Sequence, residues 1–308
     1  MSIDRLQQLI IEKKNPTVVG LDPRPEYVPP HILAEHIARK GETLEAAADA
    51  FFAFNCGLLD ALADIVPAVK PQSAYYELLG PAGVVALHKT VAYAKAKGFY
   101  VIVDGKRNDI GSTAAAYSDA YLGRVTVGGT THAPFDADSL TVNAYLGSDG
   151  LGPFLETCKE FDKSIFALVK TSNPSSGELQ DLRIGDSTLY NVVGDLLARL
   201  GEDSIGKHGY SNLGAVVGAT YPAEAKALRE RLPHTFFLVP GYGAQGGGAA
   251  DVAPCFAQKG RGAVVNSSRA IMCAWKKTSI GDGSDYQKAA RTEAIRMRQD
   301  IAGAVGIS

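Results

Sequence analysis

No Cys-x-x-Cys pair occurs in these 308 residues, and the four cysteines, Cys56, Cys158, Cys255 and Cys273, are widely spaced. That pattern offers neither a disulfide framework nor a thiolate zinc site, so reduced thiols in or near the core are expected, as suits a cytoplasmic protein. The six histidines (His31, His36, His88, His132, His208 and His234) show no metal-ligand spacing. No metal is therefore expected. Serine nucleophile elbows and Walker loops are also missing. An excess of either charge is absent as well: 31 basic residues face 33 acidic ones, a net charge of −2. With no basic block or basic–aromatic stripe, nucleic acid is not an expected partner. No apolar run is long enough to span a bilayer, so no membrane is expected. The first ten residues, Met1 to Ile10, carry the charged pattern of an amphipathic helix rather than a signal peptide.

What is present is a hydrophobic content of 46%, enough for a sizeable core, at a length that α/β barrels commonly reach as one domain. Short β-branched runs alternate with helical stretches. The strands are expected at Thr17–Asp22, Ala68–Gln72, Phe99–Asp104, Ser139–Ala144, Ser164–Lys170, Gly214–Ala219, Phe236–Pro240 and Gly262–Asn266. Helices are expected between them, among them 44–64, 81–97, one starting near Ile110, 189–200 and one starting at Pro222. A Pro-rich connection and a helical insertion follow the first strand, and a Gly-rich connection lies around Gly128-Gly129. Eight strands with interposed helices favour a closed barrel over an open sheet. The expected fold is a single (β/α)8 TIM barrel spanning 1–308, with an N-terminal helix at 1–14 and a C-terminal helix at about 282–303.

One stretch stands out: Val101-Ile102-Val103-Asp104-Gly105-Lys106-Arg107-Asn108-Asp109-Ile110-Gly111-Ser112-Thr113. Asp104 and Lys106 are two apart, which on an extended strand puts them on one face. Asp109 falls where a helix can begin, with Thr113 one turn further on the same side. Alternating charges at a strand end often form only a solvated rim. Here, however, charged strand ends recur, at Asp22 after the first strand and Lys70 after the second. Charges gathered at the carboxyl ends of barrel strands point to a functional site there. The glycine-rich Pro240–Gly248 loop, with Gln245, and Arg269 after the eighth strand follow the two strands where such barrels commonly hold a phosphate. At the end of strand five, Ser172 faces the same mouth, where a hydroxyl and backbone amides can recognise a planar polar group such as a base edge.

These residues resemble the orotidine 5′-phosphate decarboxylase family, in its longer bacterial branch. The family signature is Asp-x-Lys-x-x-Asp-Ile with a Thr four residues past the second Asp, matched here by Asp104, Lys106, Asp109, Ile110 and Thr113. The resemblance runs from Gly20-Leu21-Asp22 through Val69-Lys70, Thr171-Ser172-Asn173-Pro174 and Pro240 to Gly247, ending at Asn266-Ser267-Ser268-Arg269. It departs at the insertion around Arg24–Gly41 and at the extended Ser172–Asp186 loop, both typical of the longer branch. The resemblance implies conversion of orotidine 5′-monophosphate to uridine 5′-monophosphate and CO₂ without a cofactor. It implies Lys106 as proton donor, Asp104 beside the departing carboxylate, and Asp22 and Lys70 at the ribose hydroxyls. Gln245 and Arg269 would grip the phosphate, and Asp109 and Thr113 would reach a neighbouring subunit's site in a homodimer. Two alternatives stay open. One is a magnesium-dependent sugar-phosphate decarboxylase of the same superfamily, such as 3-keto-gulonate-6-phosphate decarboxylase. There an acidic residue ends the second strand, where this chain has Lys70. The other is a noncatalytic nucleotide-binding barrel.

Overall fold

The computed structural model describes residues 1–243 and 247–307. Eight parallel strands close a barrel: β1 (Thr17–Leu21), β2 (Ala68–Pro71), β3 (Tyr100–Arg107), β4 (Ser139–Val142), β5 (Ser164–Lys170), β6 (Leu213–Val217), β7 (Phe237–Val239) and β8 (Ala263–Ser267). Each pairs with its neighbours in chain order, and β1 pairs with β8. The expected (β/α)8 architecture is therefore present, with most strand ends shifted by a residue or two. The largest shift is in β3, which runs past Asp104 to Arg107.

Side-chain alternation divides the strands into two cores. Val18, Ala68, Tyr100, Ile102, Phe166, Val216, Leu238 and Val264 point inward and pack together with Phe236. Their odd-even partners, including Val19, Val69, Val101, Val103, Ile165, Ala215 and Val265, face outward against the surrounding helices. This is the period-two pattern of a sheet buried on both faces. The helix Ser2–Lys13 closes the amino-terminal end of the barrel. Its Ile3, Leu6 and Ile10 join the inner core, and Ser2 Oγ lies 2.8 Å from the Tyr100 hydroxyl. Asp4 accepts hydrogen bonds from the backbone N–H groups of Lys207 and His208, at 3.1 and 2.9 Å. With that end plugged, only the carboxyl end is left to open into the barrel.

Several helix starts follow from local chemistry. Thr43 Oγ1 accepts from the Ala46 N–H and caps the helix Leu44–Leu62. Prolines stand in the first turn of Pro30–Lys40, Gly80–Ala96 and Pro222–Arg231, where a missing N–H is harmless. The insertion after β1 comprises a short turn of helix, Pro25–Tyr27, and the helix Pro30–Lys40. The carboxy-terminal helix is Tyr286–Val305; Arg291 forks onto the Asp64 carboxylate at 2.6 and 2.7 Å and ties it to the end of the helix Leu44–Leu62. Two short hairpins were not expected. Val125–Val127 pairs with Thr130–His132 around Gly128-Gly129, and Arg183–Ile184 pairs with Ser187–Thr188. Each pairs only two or three residues, too few to show an alternating pattern. All four cysteines are free, with Cys158 and Cys255 buried. Among the described residues no helix is long and apolar enough to cross a membrane.

Candidate active site

On β2, β3 and β8 the inward stripe turns polar at the carboxyl end. Ala68 is followed two residues on by Lys70, Ile102 by Asp104 and Val264 by Asn266. Asp104 is the hub. Its Oδ2 accepts from Lys70 Nζ at 2.7 Å and Gln72 Nε2 at 3.0 Å, and its Oδ1 from Lys106 Nζ at 2.7 Å and Thr141 Oγ1 at 2.8 Å. Four donors occupy the four acceptor sites of one carboxylate. Burial alone would raise the pKa of Asp104, but Lys70 and Lys106 outweigh it and hold the group far below the usual carboxylate range. Burial likewise presses the Lys70 pKa down, and Asp104 and Asp22 reverse that to a net rise. Both groups are therefore charged at neutral pH. Lys70 is enclosed, whereas the Lys106 side chain is 47% exposed and reaches the open mouth.

Lys106 does not reach Asp104 along a regular strand. Register moves from Val103 opposite Leu140 to Arg107 opposite Val142, so four steps of β3 match two of β4. Lys106 takes up the excess in the left-handed region, with φ of 46°. For a residue with a Cβ this strain is of order 1–2 kcal/mol. Thr141 holds the bulge: its hydroxyl accepts from the Lys106 N–H at 3.0 Å while donating to Asp104. The two-residue spacing thus gives the right pair through a bulge rather than through extended geometry.

Beside this network lies a cavity of about 370 Å³, lined among others by Asp22, Lys70, Asp104, Tyr242, Asn266 and Arg269. Asp22 Oδ1 and Asn266 Oδ1 are buried in its wall with no hydrogen-bond partner among the described residues. Such atoms are expensive to leave unmatched, and a ligand's hydroxyl or amide donors would satisfy them. Gly20 is essential to the wall, because a Cβ there would lie 1.9 Å from Ser268 Oγ. Arg269 begins the short helix after β8, with its side chain exposed and no carboxylate partner among the described residues. A cavity of about 390 Å³ at the amino-terminal side, lined by Ala198, Glu202, Leu232 and His234, has no buried ion pair among the described residues. The charged cavity is the stronger site.

Of the expected site residues, Asp22, Lys70, Asp104 and Arg269 line this cavity, and Lys106 joins them through Asp104. Ser172 sits at the same end, half-buried against Gly218, but is not part of the cavity wall. Asp109 precedes the helix Gly111–Tyr121 instead of lying on it, and its Oδ1 accepts from the Ile110 N–H at 2.9 Å. The one-turn relation to Thr113 expected from the sequence therefore does not apply, since only Thr113 is helical. Both lie outside the cavity of their own chain. Gln245 falls outside the described residues. Sequence reasoning did not single out Gln72 and Thr141, although inward alternation from Lys70 and Ser139 points to each. Arg24, Tyr27 and Tyr75 also line the cavity, with no strand pattern to announce them. Among the described residues no group of three His, Cys, Asp or Glu side chains comes together as a metal site.

The match to known proteins spans the whole arrangement. The model of the orotidine 5′-phosphate decarboxylase / HUMPS family covers residues 18–280, from β1 to beyond Arg269. The orotidine 5′-phosphate decarboxylase of Rhodopirellula baltica is 45% identical, covering 97% of this chain and 98% of the relative. That of Caldicellulosiruptor saccharolyticus is 41% identical, covering 98% of both. The structure of Leishmania donovani OMP decarboxylase superposes with a TM-score of 0.71 at 30% identity, covering 97% of this chain and 98% of the other. With the barrel, the charge network and the matched span in agreement, this chain belongs to the orotidine 5′-phosphate decarboxylase / HUMPS family.

Proposed function

We propose that this protein decarboxylates orotidine 5′-monophosphate to uridine 5′-monophosphate, acting as a cytoplasmic homodimer built from one barrel domain per chain. The observation that carries the reading is the carboxylate of Asp104 held between the ammonium groups of Lys70 and Lys106 beside an open cavity. Breaking the C6–carboxylate bond leaves its electron pair on C6 in the ring plane, outside the π system. A cation at that carbon lowers the energy of the developing charge. Lys106 Nζ supplies that cation and then its proton, forming the C6–H bond and leaving a neutral amine for solvent to reprotonate. Asp104 keeps the Lys106 ammonium in place and sets a negative charge near the departing carboxylate. Asp22 and Lys70 meet the ribose hydroxyls, and the free oxygen of Asp22 accepts from one of them.

All of these steps use protein side chains. Loss of orotidylate absorbance on adding enzyme, with and without a chelator, tests the reading directly. Turnover unaffected by chelation is expected. Absence of turnover by folded protein would leave only a binding barrel, and abolition by chelator would favour the magnesium-dependent alternative.

Arg269, with Gln245, grips the phosphate in this reading, and remote binding energy of that kind assembles the reacting site. Arg269→Ala is expected to raise KM and lower kcat/KM for the nucleotide, with a much smaller penalty on a nucleoside substrate. Equal penalties on both would remove Arg269 from the phosphate site.

Asp109 and Thr113 complete the partner's site across a two-fold interface. Lys106→Ala and Asp109→Ala chains mixed under subunit exchange would then form heterodimers with one intact composite site and one doubly damaged site. Random reassortment makes about half the dimers heterodimers, so recovery should approach roughly a quarter of wild-type activity per subunit. Demonstrated exchange without recovery would mean that each subunit builds its site alone.

A further inference from the structure

Lys170, the last residue of β5, is buried yet takes no part in the Asp104 network. Alternation from Phe166 and Leu168 would aim it into the barrel mouth. A register shift intervenes: Val216 stands opposite Leu168, but Val217 stands opposite Lys170. The side chain therefore joins the outward-facing layer with Val217, between the sheet and the helices. There its ammonium pairs with Asp181 and lies 4.6 Å from the centre of the Tyr221 ring and 5.3 Å from that of Tyr190. Only 1% of the Lys170 side chain is exposed, against 49% of Asp181.

The carboxylate partner sits in the extended excursion that leaves β5 and returns at the helix Leu189–Gly201. Gln180, next to it, is tied to the residue after Lys170: its Oε1 accepts from the Thr171 N–H at 2.9 Å and its Nε2 donates to Thr171 Oγ1 at 2.7 Å. Two consecutive residues of the excursion thus grip the two residues that lead into Ser172. On the other side, the Gly218 N–H donates to the Lys170 carbonyl at 2.7 Å. A Cβ at Gly218 would lie 2.9 Å from Ser172 N, so only glycine lets β6 support the chain this closely. Burying an ammonium is costly, and an apolar residue would join the sheet to the helices with less penalty. What the charge adds is a directional tie to one carboxylate.

We propose that Lys170 is a positioning residue: through Asp181 it fixes the excursion so that Ser172 meets the edge of the pyrimidine base. This rests on the proposed decarboxylase function together with the expectation from the sequence that Ser172 recognises the edge of the base. The consequence is selective, because the phosphate and ribose contacts come from Arg269, Asp22 and Lys70, at the ends of other strands. A loosened excursion weakens recognition of the base and leaves the sugar-phosphate contacts intact.

The test compares binding of uridine 5′-monophosphate and ribose 5-phosphate by calorimetry, since the ratio of their affinities isolates the base. Lys170→Met keeps the buried volume and removes the charge, and half-exposed Asp181 is then left to water. The affinity ratio is expected to fall about tenfold in Lys170→Met and in Ser172→Ala, the effect of about one lost polar contact, with ribose 5-phosphate affinity unchanged. Lys170→Arg, which retains the charge, is expected to restore most of the ratio. Gln180→Ala cuts the neighbouring tie without disturbing a buried charge, and is expected to shift the ratio in the same direction. It carries the test if Lys170→Met does not fold. A ratio that falls in Ser172→Ala but in neither Lys170→Met nor Gln180→Ala would overturn the role of Lys170 while leaving that of Ser172. A ratio unchanged in Ser172→Ala would overturn the base reading, and this inference with it. Equal weakening of both ligands in Lys170→Met would reduce Lys170 to general support of the fold.

Discussion

Lys106→Ala is expected to lower kcat by at least about 10³-fold, the upper range for loss of one preorganised electrostatic donor. In the function proposed above, the substitution removes two roles together, the cation that meets charge developing at C6 and the proton that replaces CO₂. Binding of the nucleotide should survive, because the groups assigned to sugar and phosphate are elsewhere. The folded state should survive as well. Lys106 is half-exposed, so its removal leaves no cavity, and Asp104 keeps Lys70, Gln72 and Thr141 as donors. Backbone strain is little changed too, since alanine keeps the Cβ and at φ of 46° carries a similar strain to lysine. Single-turnover kinetics and product titration with the same preparation would check both halves. A variant with more than a tenth of wild-type kcat would remove Lys106 from the role of proton donor.

Asp104→Asn should damage stability and activity together. The carboxylate is buried between two ammonium groups, and removing one member of such a cluster leaves a buried charge without its partner, typically costing about 3–5 kcal/mol. Lys70, enclosed at 6% exposure, loses its directly paired carboxylate and keeps only the more distant charge of Asp22. Denaturant unfolding at neutral pH is expected to show a loss of about 3 kcal/mol. Because Lys106 also loses its anchor, kcat should fall by about 10²-fold or more. The pH dependence carries a definite sign. Asp104 has a folded pKa well below its unfolded value of about 3.9, so its contribution is present above that value and lost as pH falls toward the folded one. The stability gap between wild type and Asp104→Asn should therefore be constant near neutrality and shrink on acidification below about pH 4. A gap independent of pH would mean that the native carboxylate gains nothing from the two lysines.

The alternation of strand and helix was legible from pattern alone, because a strand buried on both faces reads as a compact apolar run wherever it sits in the barrel. The short hairpins at 125–132 and 183–188 were not legible. Two or three paired residues give no periodicity, and such pairing is decided by the elements that hold the loop ends. Element ends moved for a related reason: β3 extends to Arg107 because β4 offers it partners after the bulge, which no local propensity encodes.

For the site, the sequence by itself determined which residue types stand at which strand ends. Asp22, Lys70, Asp104, Lys106 and Arg269 were found from charged positions following apolar runs, and four of them line one cavity. Tertiary structure decided how they meet. Four donors converge on Asp104, two of them from Gln72 and Thr141, whose neutral side chains carry no signal until Asp104 is seen between them. The spacing of Asp104 and Lys106 suggested an extended strand, yet a bulge with a left-handed lysine makes the contact. Lys170, at an equally conspicuous strand end, was turned away from the mouth by a shift of one residue. A charge at the end of a strand is a local property. The face it points to depends on the register with the neighbouring strand, and only the closed barrel sets that register.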